Sequence, residues 1–223
     1  ATLHRLDDQW LLFRHGRAYD RLPHQIPFRA QMAALKEVGV RSLLSTGYVG
    51  VISDALPLHQ PVLVSDVVMP TGLLPDGTAC SMFAEGGGYL VVEDSLVSEA
   101  LSKQVRTIAT LIGQPLPVDE LEVEHVAGPR GRTQAEARRL ERAGVQAVSM
   151  TLVPELVLAN ELGISVAAVV MGYRTLAERL TNEEVDRRLA QARDRLEGLG
   201  AAFLAHGRPV EPVNTLQRYG RDT

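Results

Sequence analysis

The chain has 223 residues, 45% of them apolar, and a formal net charge of −4, so it can bury one sizeable core and does not require a second domain. Its basic residues are dispersed among acidic ones, which excludes the cationic stripe that a nucleic-acid partner would need. The apolar runs are far shorter than the roughly 20 residues of a spanning helix, the N-terminus shows no secretory leader, and a lone cysteine, Cys80, cannot form an intrachain disulfide, so we expect a cytoplasmic protein.

The first half of the chain alternates between strand-like and helix-like segments. An apolar and aromatic run at residues 9–13 predicts a strand that delivers Arg14 and His15 to a loop. Residues 29–38 have a helical composition, and Gly39 ends this helix before a buried strand at residues 40–45. The remaining predictions for this half are strands at residues 61–69, 88–92 and 121–126, and a helix that runs from the caps Asp94 and Ser95 to Gly113.

The second half carries clearer helix signals. Thr133 and Glu136 form a capping-box pattern that opens one helix, and Thr181 and Glu184 form another that opens a long terminal helix. Apolar residues recur at spacings of three and four along the terminal helix. This periodicity gives the helix one apolar stripe, so we expect the helix to lie on a sheet.

Two strands are predicted between these helices. Residues 145–150 and 164–171 flank a helix whose first turn contains Pro154, since proline is favoured at that position. A strand, a helix and a second strand in this order predict a βαβ unit with parallel strands and a right-handed crossover. Residues 208–223, after Gly207, are interpreted as an extended C-terminal tail.

Four sequence blocks point to a known family. Gly128-Pro129-Arg130 is followed about twenty residues later by Met150-Thr151-Leu152-Val153-Pro154-Glu155. In the first half, Arg14-His15-Gly16 precedes Ser45-Thr46-Gly47. In this order the blocks resemble those of the trimeric nucleoside phosphorylases, including the 5'-methylthioadenosine and purine nucleoside phosphorylases, and the resemblance extends over residues 10–177.

This resemblance implies the fold and the assembly. The expected structure is an α/β, single-domain, phosphorylase-like three-layer fold, with a mixed central β-sheet flanked by helices, over residues 1–207. The resemblance also implies a homotrimer, in which a neighbouring subunit helps to close the pocket around a small-molecule substrate.

The candidate anion-binding residues lie at the ends of predicted strands. Arg14 and His15 offer a guanidinium fork and an imidazole, which suit an oxyanion, although a surface arginine and a loop-tethering histidine are the alternative. Thr151 can present its hydroxyl and nearby backbone N–H groups to an anion at a helix start, or it can simply cap the helix. The resemblance implies that these three residues contact phosphate, that Met150 lies against the ribose, and that Thr46 lies in a loop beneath phosphate and purine.

Several positions depart from the family pattern. Gly47 lacks an expected hydroxyl, and Tyr48 puts a phenol where a small residue would leave room for a base, unless it points outward. Gly131-Arg132 replaces an aromatic residue and its polar neighbour, and no glycine-rich phosphate loop precedes the first block. Tyr173 is followed by Arg174 where the family has an acid or an amide. Arginine does not give up its proton near neutral pH, so Arg174 cannot be a general acid, and a solvated charge at the strand end is the alternative.

These departures lead to three hypotheses. The first is that the phosphorylase scaffold serves a small polar or anionic metabolite by non-phosphorolytic chemistry of the lyase, cyclase or isomerase type. The second is a 5'-methylthioadenosine or purine nucleoside phosphorylase with phosphate as co-substrate, and the third is a non-catalytic ligand-binding homologue.

No metal and no other cofactor are expected. The proposed catalytic residues are His15, Tyr48 and Arg174, and the proposed substrate- and anion-binding residues are Arg14, Thr46, Gly47, Met150, Thr151 and Tyr173, while Glu155 is expected to be structural.

Overall fold

A computed structural model describes residues 2–52, 56–83, 85–117, 121–175, 178 and 180–219, with the backbone only at 191 and 192. The strands of this part are β1 (Leu3–Leu6), β2 (Gln9–Leu12), β3 (Ser42–Val51), β4 (Pro61–Leu63), β5 (Asp66–Val68), β6 (Gly88–Val91), β7 (Glu122–His125), β8 (Ala147–Ser149), β9 (Ser165–Thr175) and β10 (Thr215–Arg218). The α-helices are α1 (Phe28–Glu37), α2 (Glu99–Leu111), α3 (Gln134–Arg142), α4 (Leu152–Glu161) and α5 (Asn182–His206).

The centre of the molecule is a six-stranded mixed sheet with the strand order β4-β9-β3-β8-β7-β5. The two longest strands, β3 and β9, lie side by side and run parallel from the Ser42–Ser165 pair onwards. β4 is antiparallel to β9, β8 is antiparallel to β3, and β7 and β5 continue the sheet parallel to β8. The α/β class and the mixed central sheet are therefore confirmed.

The predicted parallel βαβ unit around α4 is wrong. β3 lies between β8 and β9, and because β3 is parallel to β9 and antiparallel to β8, the two strands that α4 connects run in opposite directions. The strands themselves are close to where they were predicted. Their pairing was not predictable from local periodicity, since a strand pattern carries no information about which distant strand becomes its neighbour.

Helices cover the sheet on both faces. α1 packs against α4 on one face, and α2 packs against α5 on the other. Alternate residues of β9 serve the two faces, as a strand requires: Val166, Ala168 and Val170 belong to the core under α1 and α4, whereas Ala167, Val169 and Met171 belong to the core under α2 and α5. The terminal helix therefore lies on the sheet as predicted.

The helix starts follow their side-chain caps. Both capping boxes are present, with Thr133 opening α3 and Thr181 opening α5. The predicted caps of α2 are wrong, because the hydroxyl of Ser98 accepts the Leu101 N–H and the helix begins at Glu99. Ser95 instead donates its hydroxyl to the Asp66 carboxylate at 2.7 Å, which ties the preceding loop to β5.

Two small sheets lie beside the main one. β1 and β2 form an antiparallel hairpin, of which only the second strand was predicted. The tail segment pairs as β10 with β6, and the Asn214 amide just before it donates to the Ser95 carbonyl and to Asn160 Oδ1, both at 2.8 Å. Residues 220–223 of the predicted tail lie outside the described residues. Among the described helices, none is both long enough and apolar enough to cross a membrane.

Candidate active site

Arg14 and His15 lie in a tight turn directly after β2. The Gly16 N–H donates to the Phe13 carbonyl at 2.9 Å, and Gly16 has a φ of +81°, which glycine adopts without steric cost. The Gln31 side-chain amide, on α1, donates to the Arg14 carbonyl at 3.0 Å. The turn is therefore held by its own backbone and by a helix, and the directions of both candidate side chains are fixed.

The guanidinium of Arg14 is largely occupied by the protein itself. Its Nε and Nη2 donate to the two carboxylate oxygens of Glu155, each at 2.6 Å. Nη1 donates to the Thr46 carbonyl at 2.7 Å, and Nη2 also donates to the Ser45 hydroxyl at 2.9 Å. A guanidinium has five N–H groups, so within the described residues one N–H, on Nη1, is left for a ligand.

Glu155 is the partner that organises this cluster. The residue is 3% exposed, and its Oε2 also accepts a hydrogen bond from the Ser45 hydroxyl at 2.6 Å. Burial alone would lower the pKa of Arg14, but the Glu155 carboxylate outweighs it and keeps this pKa above its ordinary value. Glu155 therefore occupies the Nε–Nη2 edge of the guanidinium, and only the Nη1–H of Arg14 remains for an anion, so the anion-binding role of Arg14 stays a prediction.

His15 presents one ring nitrogen, Nε2, that has no hydrogen-bond partner among the described residues. Its Nδ1 lies 2.8 Å from the Arg21 carbonyl, and since a carbonyl can only accept, Nδ1 carries the proton and Nε2 carries a lone pair. The ring stacks on Tyr19 with a centroid distance of 4.5 Å. Burial, reinforced by the Arg14 charge, lowers the pKa of His15 despite this hydrogen bond, so His15 is a neutral hydrogen-bond acceptor near pH 7.

The start of α4 adjoins this cluster. Thr151 is the N-cap residue, but its side chain makes no capping hydrogen bond; the Ser149 hydroxyl instead accepts the N–H groups of Thr151 and Leu152 at 3.2 and 3.1 Å. Residues four apart share a helix face, so Thr151 and Glu155 lie on the same side of α4. The Thr151 hydroxyl, for which the described residues supply no partner, is therefore available on the face of α4 that carries Glu155, the partner of Arg14.

Gly47 lies close to the Arg14 guanidinium, and Met150 lies close to the backbone of Gly128. A Cβ added to Gly47 would come 3.2 Å from Arg14 Nη1, and one added to Gly128 would come 2.7 Å from Met150 Sδ. Gly47 thus allows the guanidinium to lie against β3, and Gly128 allows its loop to pack on Met150. Thr46 contributes its carbonyl to the site, in a strand and not in the loop that the resemblance implied.

The other predicted residues form a second group, at the end of β9. Tyr48 lies against the core under α5, and its hydroxyl donates to the Leu189 carbonyl at 3.4 Å. Its ring meets that of Tyr173 edge-on at 6.3 Å, and the Arg174 guanidinium lies over the Tyr173 ring at 5.4 Å. Burial raises the pKa of Tyr48, so its phenol stays protonated, and Tyr48 does not point outward as one of our interpretations held.

The Gly128-Pro129-Arg130 block serves the start of α3. Arg130 forms a bidentate ion pair with Glu136 at 2.8 and 2.9 Å on the exposed surface. Arg132 donates to the Ala127 carbonyl, and burial lowers its pKa. Within the described residues, Arg130 and Arg132 form no hydrogen bond with the Arg14–Glu155 cluster. The block therefore packs its loop against Met150 and adds no charge to that cluster.

The structure therefore brings the predicted residues together in two groups that share β3. Sequence reasoning missed the contacts of Ser45 with Glu155, of Ser149 with the start of α4 and of Tyr19 with His15. It also assigned Glu155 only a local role. Tyr19 stacks on His15 and is itself 73% exposed. Its φ of +54°, unusual for a bulky residue, was not readable from the sequence.

No metal-binding cluster accompanies these residues. Within the described ranges, no group of three or more His, Cys, Asp or Glu side chains could hold a metal ion. Cys80 is buried, and burial raises the pKa of its thiol to about 12. Its thiol therefore has little nucleophilic character.

A curled mixed sheet between helical layers, with a buried arginine cluster at one helix start, defines a nucleoside phosphorylase-like α/β enzyme fold. The family model described as "Phosphorylase superfamily" matches residues 2–205, so the chain belongs to the phosphorylase superfamily. Solved structures agree on the fold. The methylthioadenosine phosphorylase from an antarctic soil metagenomic library superposes with a TM-score of 0.79 at 20% identity, covering 94% of this chain and 76% of that one.

Two curated relatives are phosphorylases named for 5'-methylthio nucleosides. The chain is 34% identical over 170 residues to a probable S-methyl-5'-thioinosine phosphorylase of Methanopyrus kandleri, covering 74% of this chain and 63% of the relative. It is 32% identical over 217 residues to the S-methyl-5'-thioadenosine phosphorylase of Mycobacterium tuberculosis, covering 96% of this chain and 73% of the relative. The chain thus spans less than two thirds of the length of the Methanopyrus protein.

These relatives contradict our first hypothesis. Lyase, cyclase or isomerase chemistry is wrong as the leading interpretation, because the relatives that match most of the chain are named as phosphorylases. The hypothesis counted Gly47 as a lost group, whereas the small residue makes room for Arg14 Nη1. It also ignored that Glu155 and Ser45 hold the arginine in place.

Proposed function

We propose that the chain catalyses the phosphorolysis of a 5'-methylthio purine nucleoside, S-methyl-5'-thioadenosine or S-methyl-5'-thioinosine, to a free base and a methylthioribose 1-phosphate. The observation that carries this proposal is the fixed cluster of Arg14, His15 and Thr151 on a phosphorylase fold. Each contributes a group that is free among the described residues: an N–H, a ring nitrogen and a hydroxyl. The names of the relatives supply the substrate class.

The cluster suits phosphate by its donors and acceptors. Phosphate oxygens accept from the Arg14 Nη1–H and from the Thr151 hydroxyl, while the lone pair on His15 Nε2 accepts a hydrogen bond from the O–H of hydrogen phosphate. The N-terminus of α4 adds a favourable dipole. Groups preorganised in this way act on the charge of the transition state without reorganising during the reaction.

The reaction then proceeds by attack of a phosphate oxygen on C1'. The C1'–N9 bond breaks, its electron pair leaves with the purine, and the proton of hydrogen phosphate passes to the base directly or through water. Met150 is proposed to lie against the sugar. Tyr48, Tyr173 and Arg174 lie together on the α5 face of the sheet, opposite the Arg14 cluster, so a role for them at the base is not part of this proposal.

The test is the release of free base from both nucleosides with and without inorganic phosphate, followed by liquid chromatography. We expect release that depends on phosphate and saturates with it. Release at the same rate without phosphate, or no release from either nucleoside, contradicts the proposal. Ligand binding without turnover in the same samples favours the third hypothesis, a non-catalytic homologue.

The remaining expectations belong to this proposal. Phosphate is the only co-substrate that the proposed chemistry needs, with no metal or organic cofactor, and no nucleic acid is involved. A homotrimer and a cytoplasmic location are further parts of the proposal, supported by the family and by the single buried cysteine.

A further inference from the structure

We propose that Tyr19 is a positioning residue for the anion site: its ring lies against one face of the His15 imidazole and fixes the direction of Nε2. The inference rests on the proposed function, in which His15 Nε2 accepts a hydrogen bond from hydrogen phosphate. Tyr19 is not proposed to contact the substrate, because it acts through the orientation of His15.

The hydrogen bond of His15 leaves its ring one freedom of movement. The ring is attached to the chain at Cγ, and the neighbouring ring atom, Nδ1, donates to the Arg21 carbonyl at 2.8 Å. These two anchored atoms share one edge of the ring, so the ring can still tilt about that edge. Nε2 lies on the opposite side of the ring and moves farthest when the ring tilts. A contact on the face of the ring would remove this movement.

Tyr19 supplies a contact on that face. The centroids of the Tyr19 and His15 rings are 4.5 Å apart, and the ring planes are inclined by 29°, which is a stacked arrangement. Aromatic pairs prefer defined geometries, so a tilt of the imidazole weakens this contact. Within the described residues, the Tyr19 hydroxyl takes part in no recorded hydrogen bond. The ring, and not the hydroxyl, is therefore the part of Tyr19 that acts on His15.

The backbone of the turn keeps Tyr19 in this place. The Tyr19 N–H donates to the Gly16 carbonyl at 3.1 Å, and the Arg21 N–H donates to the His15 carbonyl at 3.0 Å, so the chain folds back on His15 directly after Tyr19. Tyr19 has a φ of +54°, which is unfavourable for a bulky residue, and at 73% exposure its burial does not compensate. Strain of this kind persists where the surroundings impose it and is concentrated at functional sites. We attribute its retention here to the stack on His15.

The stack also affects the protonation of His15. Burial is the largest cause of the lowered pKa of His15, and the hydrogen bond to the Arg21 carbonyl opposes it. The charge of Arg14 lowers the same pKa, and that of Glu155 raises it. The Tyr19 ring covers one face of the imidazole and so contributes to the burial. Removing this ring should raise the pKa towards its ordinary value, since the other groups stay in place.

The first experiment measures kcat and the KM for phosphate in two substitutions of Tyr19. Tyr19→Phe keeps the ring and should match the wild type. Tyr19→Gly removes the ring and adopts a positive φ without strain, so the turn keeps its shape while His15 loses its face contact. We expect its KM for phosphate to rise about threefold to tenfold, which is the usual energy of an aromatic pair expressed as an affinity ratio. The kcat should change less, because His15 binds phosphate in the ground state and in the transition state.

Tyr89→Ala is the matched control for these variants. Tyr89 is also an exposed tyrosine, at 60%, and its ring meets that of Tyr219 edge-on. It lies on β6 and has no recorded contact with His15 within the described residues. Its substitution should leave the KM for phosphate at the wild-type value.

Nuclear magnetic resonance of the imidazole nitrogens tests the positioning without turnover. A pH titration of His15 in the wild type and the three variants gives its pKa directly. We expect this pKa to rise towards its ordinary value in Tyr19→Gly and to stay low in Tyr19→Phe and Tyr89→Ala. An unchanged pKa in Tyr19→Gly overturns the inference, because the Tyr19 ring would then not cover His15.

The remaining outcomes separate this inference from the proposed function. Phosphate-dependent cleavage with an unchanged KM for phosphate in Tyr19→Gly, or with the same loss in Tyr19→Phe, overturns the inference while phosphorolysis stands. If neither nucleoside is cleaved, phosphorolysis fails, and calorimetry with inorganic phosphate decides on Tyr19. Weaker phosphate binding in Tyr19→Gly than in Tyr19→Phe then supports the inference, and equal binding in the two variants overturns it.

Discussion

At the scale of single residues, the pairing of Arg14 with Glu155 governs the charge of the candidate anion site. The two side chains are 16% and 4% exposed and share two hydrogen bonds of 2.6 Å. Because the carboxylate cancels the charge of the guanidinium, an incoming phosphate meets a fixed N–H group with little net attraction. Glu155 therefore lowers the affinity of the site for an anion and at the same time fixes the position of Arg14.

The substitution Glu155→Gln separates these two effects. Removing a carboxylate about 6 Å from a bound phosphate relieves a repulsion of about 3 kcal/mol per charge at an effective dielectric constant of about 20. A less well oriented Arg14 N–H costs about 1 kcal/mol, so the electrostatic effect wins. We expect the free energy of unfolding to fall by about 3 kcal/mol, because a buried charge loses its partner, and phosphate to bind about thirtyfold more tightly, as measured by thermal shift at increasing phosphate.

A control on the same helix is Glu161→Gln. Glu161 accepts hydrogen bonds from the Ser81 hydroxyl and the Met82 N–H and has no recorded contact with Arg14. We expect it to destabilise the protein without changing the response to phosphate. Equal or weaker phosphate binding in Glu155→Gln than in the wild type would show that orientation, not charge, dominates.

His125 supplies a prediction about pH. It is 4% exposed, neither ring nitrogen has a well-formed hydrogen bond within the described residues, and burial lowers its pKa to about 4 although the backbone of Leu73 and Ser149 opposes the shift. The unfolded chain, with an ordinary pKa near 6.5, therefore binds the proton first as the pH falls. The free energy of unfolding is therefore unaffected by His125 above about pH 6.5. Between about pH 6.5 and 4 it falls by roughly 3 kcal/mol, because only the unfolded chain binds the proton there.

Urea unfolding across this pH range checks the prediction in the wild type and in His125→Leu. The variant removes the titrating group, so its stability should fall by roughly 3 kcal/mol less than that of the wild type over the same interval. His206→Leu, at the exposed end of α5, is the control and should follow the wild type. Parallel pH curves for wild type and His125→Leu would contradict the assignment.

At the scale of elements, helix starts could be predicted from the sequence because local signals determine them, whereas strand pairing could not. The capping boxes at Thr133 and Thr181 satisfy backbone groups within three residues, so they mark helix starts without any knowledge of the fold. The antiparallel pairing of β8 with β3 depends on residues about a hundred positions apart, and no local pattern encodes it. For the same reason Glu155 was recognised as part of a helix start, while its partner Arg14, 141 residues away, was not.

The C-terminal segment shows how a short element is held by one side chain. Asn214 is 9% exposed, donates to the Ser95 carbonyl and Asn160 Oδ1, and accepts the Glu93 N–H at 3.0 Å. We expect Asn214→Ala to cost about 2–3 kcal/mol, because buried partners lose their hydrogen bonds, and to speed hydrogen exchange in β6 and β10. Gln217→Ala, on the exposed side of β10, should change neither, and equal effects of the two variants would contradict this role for Asn214.

At the scale of the whole molecule, one sheet connects both candidate groups. β3 carries Thr46, Gly47 and Tyr48, while α4 supplies Glu155 and β9 supplies Tyr173 and Arg174. The residues that the sequence singled out thus lie in the turn after β2, on β3, at the start of α4 and on β9, and β3 is the strand that both groups share. Their two-group arrangement could not be predicted, because it depends on the bulge at Tyr173 and on the register of β3 with β9.

The proposed homotrimer is a prediction at this scale. The N-terminal hairpin and the loop after it expose large apolar side chains, including Leu6 at 52% and Leu22 at 54%, and such groups favour contact with another subunit. Light scattering after gel filtration should give a mass three times the 24.3 kDa of the chain. A monomer at micromolar concentration would contradict this part of the proposal.

The most direct test of phosphorolysis follows the phosphorus atom itself. Phosphorus NMR during turnover of S-methyl-5'-thioinosine or S-methyl-5'-thioadenosine should show inorganic phosphate converted to a sugar 1-phosphate ester, one ester for each free base released. Release of the base with free methylthioribose and an unchanged phosphate signal would show that water, and not phosphate, is the nucleophile.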